Sequence, residues 1–120
     1  DNHIAAGIKR GVDVAELVRS ARAGSPHTLR VEVEASDEDT VRAAVEAGVD
    51  SVLLDNMSPS EMRRVLDSCG RDGVLFEASG GISLDTVREV SGAGVHLISV
   101  GALTHSAAAL DISLEIQADV

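Results

Sequence analysis

The sequence predicts an α/β chain whose parallel β/α units form about half of an incomplete, TIM-like barrel. Three observations predict it. Four short apolar runs, Leu29 to Val33, Ser51 to Leu54, Val74 to Phe76 and Leu97 to Val100, begin 22 or 23 residues apart. That spacing is the length of one strand, one helix and two short loops. The segments between them carry apolar residues at helical spacing, and strand–helix alternation with short loops means a parallel sheet with right-handed crossovers. The third observation separates a barrel from an open sheet. Leu29, Val31 and Val33 share one face of the first strand, whereas Arg30, Glu32 and Glu34 share the other. An open sheet covered by helices on both faces buries apolar side chains on both, while a barrel interior tolerates polar ones near its upper end. Four units make half a barrel, since a complete one runs to about 250 residues.

Each element follows in chain order. Residues 9 to 22 are expected to form a helix with Val14, Leu17, Val18 and Ala21 as its stripe. The strand from Leu29 comes next, and Ser36 to Asp39 then cap a helix whose inner face is Val41, Ala44 and Val45, closed by Gly48. After the second strand, Ser58-Pro59-Ser60-Glu61 combines a capping Ser, Pro at the first helical position and Glu three residues past the cap. Met62, Val65, Leu66 and Cys69 follow at i, i+3, i+4 and i+7, and Gly70 stops that helix. Past the third strand, Ser83 is expected to start a helix with Leu84, Val87 and Val90 inward and Gly94 near its end. The last segment alternates Leu110, Ile112, Leu114 and Ile116 with polar residues, as a half-buried strand does. The expected division is therefore a half-barrel over residues 1–109 and a tail over 110–120, extended, and either paired with another chain or left with its apolar face exposed.

Composition narrows the function. Of 120 residues, 10 are Lys or Arg and 20 are Asp or Glu, a formal charge of −10. A nucleic-acid or anionic-membrane surface needs basic patches, so both are disfavoured as partners. One Cys, Cys69, leaves no disulfide framework and no Cys-based zinc site. Nothing reads as a signal peptide or a membrane span, and the expectation is a cytoplasmic domain. The sole aromatic residue is Phe76, so the core must be aliphatic.

The chemistry is expected at the carboxyl ends of the strands, where barrel active sites collect. Those ends carry Glu34, Asp55-Asn56, Ser79-Gly80-Gly81 and Gly101. Two glycines after a strand, with a helix capped at Ser83, leave backbone N–H groups for a phosphate. The same glycines also suit a plain turn that needs their backbone angles. Glu34 and Asp55 could accept hydrogen bonds from a sugar diol, hold a metal ion through water, or cap loops. Glu32 is expected to pair with Arg30, Asn56 to fix its loop, and Cys69 to be core. His27 and His96 read as structural, while His3 and His105 flank the rim.

Five motifs then occur in series: Asp1-Asn2-His3-Ile4, Val31-Glu32-Val33-Glu34, Leu53-Leu54-Asp55-Asn56-Met57, Glu77-Ala78-Ser79-Gly80-Gly81-Ile82 and Ser99-Val100-Gly101-Ala102-Leu103-Thr104-His105-Ser106. Together they resemble the carboxyl-terminal half of the quinolinate phosphoribosyltransferases, and the resemblance spans the chain. It implies transfer of phosphoribose from phosphoribosyl pyrophosphate to the ring nitrogen of quinolinate, with carbon dioxide and pyrophosphate leaving, in NAD synthesis. It implies Mg2+ as cofactor and a homodimer or higher homo-oligomer. It implies roles for Glu34 and Asp55 near the ribose hydroxyls and the metal. Ser79, Gly80, Gly81, Val100, Gly101 and Ala102 become phosphate-binding turns.

The resemblance further implies a Lys immediately before Asp-Asn-His and an upstream cluster of Arg and Lys for quinolinate and pyrophosphate. The expectation is thus a fragment holding the ribose and phosphate side of a site, inactive by itself. Two other readings remain at this point: a different phosphate-binding barrel enzyme, and a non-catalytic half-barrel that self-associates.

Overall fold

The computed structural model describes residues 2–105 and Ser113. In chain order it contains α1 (Asn2–Lys9), α2 (Val14–Gly24), β1 (Glu32–Ala35), α3 (Glu38–Glu46), β2 (Ser51–Asp55), α4 (Pro59–Cys69), β3 (Leu75–Ser79), α5 (Val87–Ser91) and β4 (Leu97–Ile98), then a 3-10 turn at Gly101–Leu103. The four strands form one sheet in the order β1-β2-β3-β4, and every pairing is parallel. Sequential parallel pairing with helical crossovers is the expected half-barrel. It also puts all four strand carboxyl ends on one rim.

Burial splits the strands by face. Val33, Ala35, Val52, Leu54, Phe76 and Ala78 are buried together with Val41, Ala44 and Val45 of α3 and Met62, Val65 and Cys69 of α4. The alternate positions Glu34, Leu53, Asp55, Leu75, Glu77 and Ser79 are only half-buried. Side chains alternate along a strand, so the helices back one face and the other is the barrel interior.

Caps fix where the helices start. Asp37 accepts from the Thr40 N–H at 2.8 Å and opens α3. Ser58 and Glu61 form a reciprocal capping box on α4, with the Ser58 N–H donating to Glu61 Oε2 at 2.8 Å. A carboxylate joins these two helices. Glu38 accepts from Arg42 at 2.7 Å and from Ser68 Oγ at 3.0 Å, with Arg64 3.3 Å away. At the opposite end of the strands, Asp50 accepts from the Val31 N–H at 2.7 Å and pairs with Arg22 at 3.0 Å.

Several expectations are corrected. The helix expected over residues 9 to 22 is α2 and starts only at Val14, because Gly11 turns the chain in the left-handed region (φ 76°) and Asp13 caps α2 through the Glu16 N–H, while α1 precedes it. On α2 only Val18 is buried, and Ala21 is exposed. The first strand starts at Glu32, where pairing with Ser51 begins. Leu29 lies in a turn, 57% exposed, its N–H donating to the Pro26 carbonyl. The helix expected from Ser83 starts only at Val87. Ser83 to Thr86 is a turn in which the Ser83 N–H donates to Thr86 Oγ1 at 2.9 Å, and it leaves Leu84 90% exposed. Glu32 takes a hydrogen bond from Ser51 Oγ at 2.7 Å and not from Arg30. His96 and Cys69 are structural as expected. Nδ1 of His96 accepts the Phe76 N–H at 3.0 Å while its ring stacks on Phe76, and Cys69 is buried. Apart from Ser113, the tail expected over 110–120 lies outside the described residues.

Candidate functional site

The interior face is read row by row from strand register. Glu34 stands opposite Leu53, which stands opposite Glu77, which stands opposite Leu97. One same-face step nearer the rim, Asp55 stands opposite Ser79. Two carboxylates therefore flank Leu53 in one row, and a third sits above it. Glu77 is the residue that a reading of strand ends misses. Its signal was available, since it lies two positions before Ser79 and therefore on the same face. It is oriented by Ser99, whose hydroxyl donates to Glu77 Oε1.

Asp55 and the glycine turn meet at Asn56. The Asn56 N–H donates to the Ser79 carbonyl at 3.0 Å, and its side-chain amide lies 3.0 Å from both Asp55 carboxylate oxygens. Asn56 has φ 53°, the one positive φ outside glycine among the described residues. Gly80 and Gly81 follow β3 with φ 89° and 60°. Successive left-handed residues turn their N–H groups outward, and those of Gly80, Gly81 and Ile82 make no hydrogen bond among the described residues. Nor do those of Gly101 and Ala102 after β4, whereas the Gly101 carbonyl accepts from Thr104 and His105. Since β3 and β4 are adjacent, the two turns are neighbours. The helix dipole adds little here, because α5 is five residues long and starts six residues past Gly81.

The structure thus unites Asp55, Ser79, Gly80 and Gly81, with Val100, Gly101 and Ala102 just past the end of the next strand. Glu34 is set one row deeper. It lines a cleft of about 610 Å³ beside the outer edge of β1, together with His3, Glu32, Leu53 and the apolar stripe of α2. Neither Asp55 nor the glycine turns line that cleft. His105 is exposed beside the Gly101 turn, and His27 lies in an exposed turn between α2 and β1.

Charge on this face is one-sided. No Lys or Arg occupies an interior row. Arg22, Arg42 and Arg64 are engaged by Asp50 and Glu38, and Arg63 donates to the Gly92 carbonyl. Among the described residues no three His, Cys, Asp or Glu side chains cluster to hold a metal ion by themselves. Carboxylate oxygens are nonetheless the donors that Mg2+ accepts, and that ion commonly uses one or two of them plus substrate oxygens and water. Glu34 and Asp55 are carboxylates of that kind, on neighbouring strands and one row apart.

A parallel half-barrel with carboxylates on its inner face and two adjacent glycine turns on its carboxyl-end rim has the architecture of the TIM-like β/α barrels. The comparison with known families is specific within that class. The chain belongs to the family described as quinolinate phosphoribosyl transferase, C-terminal domain, which matches residues 1–115. It is 46% identical over 123 residues to a Methanothermobacter thermautotrophicus protein named "probable nicotinate-nucleotide pyrophosphorylase [carboxylating]", covering 98% of this chain and 42% of that protein. It is 43% identical over 118 residues to the human nicotinate-nucleotide pyrophosphorylase [carboxylating], covering 97% of this chain and 38% of that protein. Among solved structures, NadC from Streptococcus pyogenes superposes with a TM-score of 0.77 at 36% identity, over 96% of this chain and 39% of that one. The chain therefore spans about four tenths of the length of the relatives it matches.

Proposed function

We propose that this chain is the ribose- and phosphate-binding part of a quinolinate phosphoribosyltransferase. The observation that carries the proposal is the joint placement of Asp55 and the Gly80–Gly81 turn at paired strand ends, in a chain the family matches over residues 1–115. In this reading the N–H groups of Gly80, Gly81, Gly101 and Ala102 hold the 5′-phosphate of phosphoribosyl pyrophosphate. Glu34 and Asp55 accept hydrogen bonds from the ribose hydroxyls, with Ser79 beside them. The quinolinate nitrogen then bonds to the anomeric carbon as the bond to pyrophosphate breaks, and loss of the adjacent carboxylate as carbon dioxide, with a proton from solvent taking its place on the ring carbon, leaves nicotinate mononucleotide. The ribose carries positive charge at the transition state, and a fixed carboxylate nearby stabilises it where water is excluded. Mg2+, held by Glu34 and Asp55 through water or substrate oxygens, would neutralise the leaving pyrophosphate.

Cations for the quinolinate carboxylates and the pyrophosphate are absent from the interior rows, and in this reading other segments of a longer, homo-oligomeric cytoplasmic enzyme supply them. The isolated chain should accordingly show no transferase activity. The test is Asp55→Ala in the full-length enzyme, assayed with quinolinate and phosphoribosyl pyrophosphate. Turnover should fall more than about tenfold, the equivalent of ~1.4 kcal/mol of transition-state stabilisation. Wild-type turnover would remove Asp55 from the site and the reading with it.

A further inference from the structure

Asn56 combines three features that loop closure alone does not require. First, it holds a left-handed backbone (φ 53°), a conformation that L residues other than glycine seldom adopt and Asn tolerates best. Second, that conformation folds its side chain back so that one amide nitrogen lies 3.0 Å from both oxygens of Asp55. Third, the other end of the amide fills the space in front of Gly80. A Cβ on Gly80 would collide with Asn56 Oδ1 and Cγ and lie 2.9 Å from its backbone nitrogen. Gly80 is thus required twice, by its own φ of 89° and by the presence of this amide.

We propose that Asn56 is a positioning residue that locks the Asp55 carboxylate and the Gly80–Gly81 turn into one fixed relation. The proposal rests on the functional reading above, in which Asp55 serves the ribose and metal end of the substrate and the glycine turn serves its phosphate. The backbone link from the Asn56 N–H to the Ser79 carbonyl sets the height of β2 against β3. The side chain then sets what the backbone cannot, namely the rotation of the carboxylate and its distance from the phosphate turn. A ligand touching both ends needs that separation fixed before it binds, because small misplacements of positioned groups cost large factors in rate.

The chemistry of the amide suits the role. It donates to the carboxylate without adding charge, so Asp55 stays available to a metal or a hydroxyl. A Lys or Arg in its place would neutralise Asp55, and an Asp would repel it. A Gly would keep the backbone and delete the lock.

The experiment uses the full-length enzyme with Asn56→Gly, Asn56→Asp and, separately, Asp55→Asn. Four quantities are read: turnover, KM for each substrate, calorimetric affinity for phosphoribosyl pyrophosphate with and without Mg2+, and the melting midpoint. Asn56→Gly should weaken phosphoribosyl pyrophosphate binding and lower turnover together by about tenfold or more, the scale of a misplaced catalytic group. KM for quinolinate and the melting midpoint should stay near wild type. Asn56→Asp retains size and tolerance of the left-handed backbone, and should show at least the same loss, with the Mg2+ dependence of binding altered. Adding Gly80→Ala to Asn56→Gly should do less further harm than Gly80→Ala does in the wild type, because the amide it collides with is gone. Wild-type binding and turnover in Asn56→Gly would overturn the proposal. Equal weakening of both substrates in step with a lowered melting midpoint would overturn it too, by showing a loop support only. Wild-type activity in Asp55→Asn would instead overturn the functional reading, so the two failures are distinguishable.

Discussion

Leu53 and Leu54 are neighbours in β2 with opposite fates. Leu54 is fully buried under the helices, and Leu53 is half-buried on the inner face between Glu34 and Glu77. The same alternation runs through β1 and β3. The helix-backed face is apolar and closed, whereas the inner face carries Glu32, Glu34, Asp55 and Glu77. Stability and chemistry are thus built on opposite sides of the same four strands. The lesson is that one substitution can be aimed at either property with little effect on the other.

The largest expected effect tests the closed face. Leu54→Ala should destabilise this chain by about 2–5 kcal/mol, the usual cost of removing a buried Leu side chain. Leu53→Ala, one residue away, should cost less than about 1.5 kcal/mol, since its site is already partly open to water. Denaturant titration of the two variants decides the matter. Equal losses would break the comparison by showing that the inner face is covered in solution, as it would be in a self-associated half-barrel.

A second test reverses the roles. Asp55→Ala in the full-length enzyme should lose the turnover stated above while its unfolding free energy changes by less than about 1 kcal/mol, as expected of a side chain outside the core. A large stability loss with preserved turnover would place Asp55 among the structural residues. A smaller effect is expected at the edge of the closed layer. Ser58→Ala removes the cap of α4 and should cost about 1 kcal/mol, visible as a lowered melting midpoint with unchanged kinetics. Altered substrate affinity in that variant would mean that α4 reaches the site.

The two faces also differ in how legible they were. Met62, Val65 and Cys69 at helical spacing, the Ser58–Glu61 capping box and Gly70 announce α4 and its buried stripe without coordinates, because helix periodicity and capping are local. The rim was legible for a related reason, since consecutive parallel strands must end on the same side. What sequence could not show depends on partners distant in the chain. β1 starts at Glu32 because β2 offers Ser51 there, although Leu29 and Val31 fit the strand pattern equally well. Leu84 fits the stripe of its helix, yet the Ser83–Thr86 turn holds it outside. Glu77 sits inside an apolar strand, and only register reveals it as the counterpart of Glu34 across Leu53. Asn56 was legible as a loop residue. Its contact with Gly80, 24 positions later, was not.

The smallest expected effect concerns pH, and it separates the faces by charge. Among the described residues, three carboxyl groups lie below their ordinary range in the folded chain. Glu38 is held down first by the Ser68 hydroxyl and then by Arg42 and Arg64. Asp50 is held down first by the Val31 N–H and then by Arg22. Glu61 is held down by the hydroxyl and the backbone N–H of Ser58. A lowered folded pKa means that the unfolded chain binds more protons near the ordinary carboxylate pKa, so stability rises with pH through that window. The contribution is complete above about pH 5 and is lost as pH falls through the lowered folded values. All three groups sit at helix starts or loop ties, and none on an inner-face row. Acid should therefore loosen the helical layer by a modest amount, because exposed pairs are screened by water. The melting midpoint should drop between about pH 5 and pH 3, and Ser68→Ala should shallow that drop by removing the largest cause at Glu38. A midpoint flat across this window would mean that these three groups contribute nothing, and a slope that ignores Ser68 but follows Glu34 or Glu77 substitutions would mean that the inner face carries the acid sensitivity.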